Sequence, residues 1–364
     1  MIRYKFSSQL DKEFSQTLIT RVNAYFSDNQ LDKNGNAHMA IKSVAAISLY
    51  LIPFAIVLTA GITNLPILFA LWMTMGLGKA FIGTSVMHDA LHGSYSNKKY
   101  VNTLMGISAF IVGVNPAMWK IQHNVLHHTY TNIEGGDEDI KPRFVMRFSP
   151  HQPRKWFHRY QFIYAGILYS ITTFLWVVIK DFDKLITYKM DGIVKPGKEF
   201  YGHLSVIIVQ KILYFIVFLG LPIVLLPFSG WLVFLMFLSM HMISGFVLTT
   251  VFQLAHVVPT SEFVMQDEEN IEQNRLVHQL LTTSNFAMSN RALSWFIGGL
   301  NFQIEHHLFP NICHVHYHKI ARIVQQTTKE FELPYYAQKS FLGAIKNHFS
   351  MLRTLGRQDS MSII

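Results

Sequence analysis

Seven histidines in three short clusters are the residues of this chain whose type and spacing best suit metal chemistry. The clusters read HDALH at 88–92, HNVLHH at 123–128 and QIEHH at 303–307. Imidazole is the commonest protein ligand for transition metals, and the i, i+4 spacing in the first two clusters places two rings on one face of a helix. Seven histidines exceed what one mononuclear site usually takes, so the clusters predict two metal ions. The histidines are His88, His92, His123, His127, His128, His306 and His307.

The type of ligand excludes some metal sites but does not identify a single metal. The single cysteine, Cys313, excludes a thiolate cluster and an internal disulfide framework. A site dominated by imidazole suits iron, copper, zinc or nickel. Ligand chemistry alone leaves these four open.

The composition is that of a membrane protein rather than a soluble one. Half of the 364 residues are hydrophobic and 15% are charged, whereas soluble domains average about 25% charged. The net charge of +9 would favour nucleic acid in a soluble chain, but here it indicates a membrane face. We therefore expect a lipid bilayer and no nucleic acid as a partner. The first 40 residues are polar and lack the apolar core of a signal peptide.

Four apolar stretches have the length of about 20 residues that a membrane-spanning helix needs. Their short connecting turns, around Thr63 and from Pro227 to Gly230, pair them as two helical hairpins. Both turns lack Lys and Arg, whereas the other loops and both termini carry them, so the positive-inside rule predicts cytoplasmic termini. The stretches are 43–62, 65–84, 204–226 and 231–252.

Two further apolar stretches, 104–118 and 161–179, are shorter or more polar and are predicted to lie on the membrane or dip into it. If one metal centre gathers all three clusters, an even number of crossings must separate any two of them. This condition is met if the chain does not cross the membrane between the first two clusters and crosses it twice between the second and the third. We therefore expect an all-α integral membrane protein: four transmembrane helices in two hairpins, interfacial helices and a cytoplasmic histidine-rich cap, in one domain spanning 1–364.

Other histidines are interpreted from their positions. His256 follows the fourth span at the predicted level of the clusters, which favours an eighth ligand over an interfacial residue. His241 lies inside that span, where an ionisable residue is a candidate for lining a substrate path. The rings of His314, His316 and His318 are spaced i, i+2 and do not share a helix face. This run predicts a polar, headgroup-facing surface rather than a third metal site.

The clusters resemble the three histidine boxes of the integral-membrane fatty acid desaturases, HxxxH, HxxxHH and H/QxxHH, in order and type. The flanks are similar as well, with Trp119 ahead of the second box and WFIGGLNFQIEHHLFPNICHVHY at 295–317 around the third. Gln303 at the start of the third box resembles the front-end and linoleoyl-CoA desaturase branch. That branch inserts a double bond between an existing one and the carboxyl end. The likeness covers residues 40 to 340.

The resemblance implies two iron ions, with the seven cluster histidines as ligands and His256 as the eighth. Gln303 stands where other branches place a histidine; an amide is a weak iron ligand, so it is expected beside the ligands or bonded to a bound water. Asp89 and Glu305 either hydrogen-bond ligand imidazoles and fix their tautomers or are solvated.

The reaction implied is the oxygen-dependent introduction of a cis double bond into a long-chain fatty acyl group carried by CoA or a lipid. An unactivated methylene has no acidic proton, which agrees with a metal and O2 rather than acid–base catalysis. The sequence lacks the HPGG of a fused cytochrome b5 domain, so a separate ferredoxin or cytochrome b5-type donor with its reductase is expected. Basic residues for docking it, or for contacting anionic lipid, are Lys141, Arg143, Arg147, Arg154, Lys155 and Arg159.

Two rival functions remain from the same residues. A fatty acyl hydroxylase, or a related alkane or carotenoid oxygenase, uses the same boxes and differs only in product. A metal-ion transporter would place its ligands near the bilayer midplane. The clusters lie outside the strong spans, which disfavours transport.

Overall fold

The computed structural model describes residues 5–7, 11–141, 145–265, 270–271 and 273–359, which are predominantly helical. The α-helices there are α1 (Lys12–Asp28), α2 (Ala37–Thr59), α3 (Leu65–Phe81), α4 (His88–His92), α5 (Lys99–Gly106), α6 (Ser108–Ile111), α7 (Pro116–Trp119), α8 (His128–Tyr130), α9 (Gln161–Leu175), α10 (Asp181–Met190), α11 (Lys198–Phe215), α12 (Leu221–Leu225), α13 (Gly230–His256), α14 (Arg275–Thr282), α15 (Arg291–Phe296), α16 (Gln303–Leu308), α17 (Tyr317–Glu330) and α18 (Phe341–Leu355).

Several of these helices are joined end to end by π-helical stretches, and short strands add two small sheets. The π-helices are Ile82–Met87, Lys120–His127, Trp176–Lys180 and Ile216–Gly220, and the 3-10 turns are Trp156–Tyr160 and His314–His316. The strands pair in parallel, β1 (Lys5–Phe6) with β2 (Asn270–Ile271) and β3 (Asn285–Phe286) with β4 (Ala337–Gln338).

Five continuous helices within the described ranges are long and apolar enough to cross a bilayer, so the chain is a multi-pass membrane protein. Four of them match the predicted spans to within three residues at the hairpin turns and extend beyond them at the other ends. The fifth contains residues 161–179, which the sequence predicted to lie on the membrane or dip into it. A further pair, Lys99–Ile111 and Pro116–Tyr130, is bent by 105°. The five are Ala37–Thr59, Leu65–His92, Trp156–Met190, Lys198–Leu225 and Gly230–His256.

Polar caps start two of the long helices directly after the predicted hairpin turns. The Asn64 side chain accepts a hydrogen bond from the backbone N–H of Ile67 at 3.1 Å. Ser229 does the same for the N–H of Leu232 at 3.3 Å. Such caps satisfy backbone donors that the first helical turn leaves unpaired, so α3 and α13 begin within one residue of each turn.

Helix α9 packs directly against α13, which explains why residues 161–179 do not lie apart from the bundle. At Gly245, a Cβ atom would stand 2.3 Å from the carbonyl oxygen of Ser170, so the two backbones are in contact. Thr172 and Thr249 join their hydroxyls at 2.7 Å. The Ser, Thr and Tyr residues that made this stretch resemble an interfacial helix also suit close packing between membrane helices.

A second layer of helices covers the end of the bundle that carries the histidine clusters. Helices α1 and α17 pack through Phe14, Leu18 and Val324, and α14 and α16 contribute to the same apolar cluster. The layer therefore buries α16, the helix of the third histidine cluster, on a side that the long helices leave open.

Candidate metal centre

The second histidine cluster lies on the π-helix Lys120–His127, and this geometry lets its three rings face one site. In an α-helix, His128 would point about 140° away from His123. A π-helix closes i→i+5 hydrogen bonds, which brings residue i+5 over residue i. The Nε2 atoms of His123 and His128 are accordingly 3.3 Å apart, while the His127 ring lies 5.4 Å from that of His123.

The first cluster follows another π-helix, Ile82–Met87, at the end of α3. Its two rings, His88 and His92, are 4.6 Å apart on α4, as the i, i+4 spacing predicts. The His88 Nε2 atom reaches to 3.3 Å from His123 Nε2. The first two clusters therefore meet directly.

A glycine turn brings the third cluster to the first. Gly298 has φ of 61°, and a Cβ there would lie 2.2 Å from the carbonyl oxygen of Thr84. Only glycine combines this backbone conformation with so close an approach. Five residues later α16 begins, and the Nε2 atoms of His306 and His128 are 2.9 Å apart.

All eight predicted ligand histidines converge, and seven of them form two groups. Within each group the ligand nitrogens lie within 4.8 Å of one another. The ring of His128 lies between the groups, 4.5 Å from His306 and 4.4 Å from His307. The first group comprises His88, His92, His123 and His306, and the second comprises His127, His256 and His307.

The ring nitrogens that face each other in the second group fit a metal ion. His127 Nε2, His307 Nε2 and both nitrogens of His256 are buried and make no hydrogen bond with the described residues. A buried polar atom without a partner costs roughly 1–3 kcal/mol, and a bound cation would supply the partner. Burial also lowers the pKa of His307, which favours the neutral imidazole that binds metals. In His127 burial is outweighed by the neighbouring Asp137 carboxylate, which raises the pKa to about 9.

Gln303 lies beside the second group of histidines, where its place at the start of the third box predicted it. Its side chain lies beside the His256 ring, and both amide atoms are buried without a hydrogen-bond partner among the described residues. The amide is therefore available to a metal ion or to a water bound to one.

Residues outside the clusters hold several ligand rings by their second nitrogen. The Nδ1 of His127 lies 3.1 Å from both carboxylate oxygens of Asp137. The Nδ1 of His307 lies 2.8 Å from Gln279 Oε1, and that of His306 lies 3.1 Å from the Tyr317 hydroxyl. Such partners orient ligands and fix their tautomers.

Sequence analysis missed these three partners. Asp137 had a signal, because it lies in the acidic run GGDED ten residues after His127. Gln279 and Tyr317 had none, since only the fold brings them to the site.

The sequence suggested the same alternatives for Asp89 and Glu305, but the structure gives the two residues different surroundings. Asp89 Oδ1 lies 3.4 Å from the Nδ1 of His88, as expected of a carboxylate that holds a ligand. Glu305 is buried but accepts hydrogen bonds from Tyr335 and Asn285, each at 2.8 Å. Burial raises the pKa of Glu305 to about 7. The prediction that Glu305 holds an imidazole or is solvated is therefore wrong.

The CHVHYH run is not the headgroup-facing surface that its spacing suggested. His314 is buried against Asp89, with its Nδ1 2.8 Å from Asp89 Oδ2. His316 is buried with its Nε2 3.0 Å from the carbonyl oxygen of Asn34. Only His318 is exposed. The prediction failed because it considered the local spacing of the rings and not the layer that covers them.

His241 belongs to a buried polar network that connects four helices. Its Nδ1 lies 3.3 Å from Lys79 Nζ, and its Nε2 lies 3.2 Å from the Tyr214 hydroxyl. The Thr173 hydroxyl donates to its carbonyl oxygen. The predicted place of His241 on a substrate path stays a prediction.

The predicted docking residues have different surroundings. Arg147 is buried and donates to the backbone carbonyls of Pro150, Gln152, Leu355 and Gln358, so its predicted role in docking is wrong. Arg143 lies outside the described residues. The others are at or near the surface; Lys141 pairs with Glu138 and Arg154 with Asp359, whereas Lys155 and Arg159 are exposed.

The sequence and the histidine site together define a membrane-bound enzyme class, and comparison with known proteins agrees. Residues 63–339 match the family described as fatty acid desaturase. The chain belongs to this family and is an oxidoreductase that desaturates fatty acids, which confirms the expectation from the histidine boxes.

The relatives also confirm the resemblance to the front-end branch. An acyl-lipid (8-3)-desaturase of Physcomitrium patens is 35% identical, covering 95% of this chain and 72% of its own. A sn-1 linoleoyl-lipid 6-desaturase of Arthrospira platensis is 32% identical over 94% and 92%. A protein of the same name from Synechocystis sp. is 33% identical over 98% of both chains.

Proposed function

We propose that the protein introduces a cis double bond into a long-chain fatty acyl group, in an oxygen-dependent reaction at two iron ions held by the eight histidines. The observation that carries this proposal is the convergence of eight rings from four separated segments, seven of them in two groups of ligand size and His128 between the groups. A transporter is disfavoured, because the rings gather at the ends of the long helices rather than midway along them.

The chain's own residues would hold the ions, bury them and position the substrate. Bound iron would supply the oxidising chemistry with O2 that removes hydrogen from an unactivated methylene. Asp137, Gln279 and Tyr317 keep three rings in the orientation that presents Nε2 to the ion. Most of the eight rings are fully buried, which keeps bulk water from the reacting carbons.

The substrate proposed is an acyl-lipid, desaturated between an existing double bond and the carboxyl end. The support comes from the relatives, which are named acyl-lipid and linoleoyl-lipid desaturases. Electrons would come from a separate ferredoxin or cytochrome b5-type protein with its reductase. The exposed Lys155 and Arg159 suit an acidic donor, and they suit anionic lipid equally.

We also propose four membrane crossings, with both termini and the metal centre in the cytoplasm. Three long helices lie between His128 and His306, and because these rings are in contact, an even number of them must cross. Trp156–Met190 is proposed as the helix that does not cross. In support, Ala165 packs in a cluster with Val257, and Tyr188 packs in another with Ile133, so both ends adjoin segments bordering the site.

The test of the reaction is product analysis. The protein is expressed with a competent electron donor and supplied with defined acyl-lipids and acyl-CoAs, and product double bonds are mapped by mass spectrometry. The proposal expects an alkene in acyl-lipid, on the carboxyl side of an existing double bond. A hydroxylated product without alkene would overturn desaturation, and an alkene made only from acyl-CoA would overturn the lipid substrate.

The metal is tested through single ligands. His127→Ala and His306→Ala are expected to abolish activity and lower the iron content while the protein still inserts in the membrane. His318→Ala is the matched control, because this exposed histidine lies 12 residues after His306 and outside both groups. Wild-type turnover in either ligand variant would remove that residue from the set.

A further inference from the structure

We propose that Lys42, His314 and Asp89 form a hydrogen-bonded chain that positions His88 and holds it in the tautomer whose Nε2 is free to bind metal. The inference rests on the proposed role of His88 as a ligand. It gives a function to His314, a histidine outside the three clusters, and to a lysine on the first long helix, α2.

The chain is continuous in the structure. Lys42 Nζ lies 2.7 Å from His314 Nε2, and His314 Nδ1 lies 2.8 Å from Asp89 Oδ2. The other carboxylate oxygen of Asp89 faces His88 Nδ1 at 3.4 Å. The Cys313 thiol and the His314 backbone N–H also donate to Asp89 Oδ2, at 3.0 and 3.2 Å.

The direction of every hydrogen bond follows from the lysine at the start. An ammonium group can only donate, so His314 Nε2 must accept and His314 Nδ1 must carry the proton. That proton is given to Asp89, and the carboxylate accepts from His88 Nδ1. His88 Nε2 is then left without a proton, on the side that faces His123.

Because the chain is buried, the loss of any one of its hydrogen bonds is costly. Lys42, His314 and Asp89 are 4%, 5% and 1% exposed, so water does not replace a lost partner. Without the nearby Lys42 charge, the buried Asp89 carboxylate would keep only neutral hydrogen-bond donors, which is unfavourable for a buried charge. The chain also joins three separate parts of the molecule, because Lys42 is on α2, Asp89 on α4 and His314 at the start of a 3-10 turn.

The second group has a different support, so the effect should be confined to one ion. The carboxylate that holds His127, Asp137, is fixed by the backbone N–H groups of Asn132 and Asp139, at 2.9 and 2.8 Å. Breaking the Lys42 chain should therefore alter the ion bound by the first group and leave the other unchanged.

The experiment compares iron-loaded wild type with Lys42→Met and His314→Gln by Mössbauer spectroscopy and by the rate of iron loss to a chelator. Lys42→Met removes the donor while keeping the length of the side chain. One of two iron signals should shift, and half of the iron should leave about tenfold faster, within the range measured for partners of metal ligands. Lys42→Arg keeps a donor and should restore both.

His316→Gln is the matched control, because His316 is in the same run and equally buried but bonds the carbonyl of Asn34. Its spectrum and iron release should equal those of wild type. A purely structural role of Lys42 would move both iron signals together, or would change the control as well, and either result overturns the chain. So would a Lys42→Met protein identical to wild type. Wild type that binds no iron would instead overturn the proposed function.

Discussion

Asp137 contacts the Nδ1 of His127 with both carboxylate oxygens, and backbone N–H groups hold the carboxylate in turn. The geometry fixes which nitrogen of His127 faces the site. Single side chains of this kind, outside the histidine clusters, decide whether a ring is presented correctly. Gln279 and Tyr317 contact the Nδ1 atoms of His307 and His306 in the third cluster and hold those rings in the same way.

Asp137→Asn should weaken iron binding by about 10- to 100-fold, because an amide cannot accept on both sides and lacks the charge that raises the basicity of the ring. The measurement is a competition between the purified protein and a chelator of known affinity. Asp28→Asn, an exposed carboxylate on α1, is the control. Equal affinity in the two variants would make Asp137 dispensable to the site.

Gln303→Ala should lower turnover, since it removes the amide beside the His256 ring and leaves one corner of the second group without a polar side chain. Steady-state kinetics with a saturating electron donor measure the change. Gln326→Ala, on the exposed side of α17, should keep wild-type rates. Unchanged kinetics in Gln303→Ala would make that glutamine a structural bystander.

The residue types and spacing of the clusters pointed to seven candidate ligands, and the position of His256 after the fourth span added the eighth. Residue types and spacing could not predict how His128 shares a face with His123, because α-helical spacing turns it away and the π-helix was not visible in the sequence. Nor could they place His314, whose partner Asp89 is 225 residues away.

At the level of elements, the close approach of α9 to α13 depends on Gly245, which has no side chain. Hydropathy predicted the helices of both hairpins to within several residues at their ends. It left open whether 161–179 packs within the membrane or lies at its interface, since Ser, Thr and Tyr occur in both places. The distinction lies in the partner surface, which one segment's composition does not contain.

Gly245→Ala should destabilise the protein by about 1–3 kcal/mol, the usual cost of overpacking a tight contact. The new Cβ would lie 2.3 Å from the Ser170 carbonyl, so α9 and α13 must separate. Thermal unfolding in detergent reports the change. Gly202→Ala, on a helix position where nothing lies within 4 Å of a Cβ, should not lower the melting temperature. Equal melting of the two variants would contradict the close packing.

For the whole molecule, the contact of rings separated by 178 residues constrains the path of the chain through the bilayer. The sequence supplied the same parity argument only by assuming a shared site. The convergence of the rings now supports that assumption. The sequence also could not reveal that both ends of Trp156–Met190 adjoin the site, because those contacts involve residues far apart in the chain.

Cysteine labelling in sealed vesicles tests this path. In a Cys313→Ser background, cysteines at Asp28, Lys155 and Lys195 should react with an impermeant reagent from one side. A cysteine at Thr63, in the first hairpin turn, should react only from the other side. All four positions are exposed. Labelling of Lys155→Cys and Lys195→Cys from opposite sides would mean that Trp156–Met190 crosses.

The π-helix Lys120–His127 makes the length of this segment as important as its composition. Val125 within it is 52% exposed, so many substitutions there should be harmless. Deleting Val125 would place His128 four residues after His123, the spacing that an ordinary α-helix brings onto one face, so the shortened segment would keep these two rings together without a π-helix. We therefore expect homologues that are one residue shorter between these two histidines to have an ordinary α-helix here, and an alignment should allow a one-residue gap at this point.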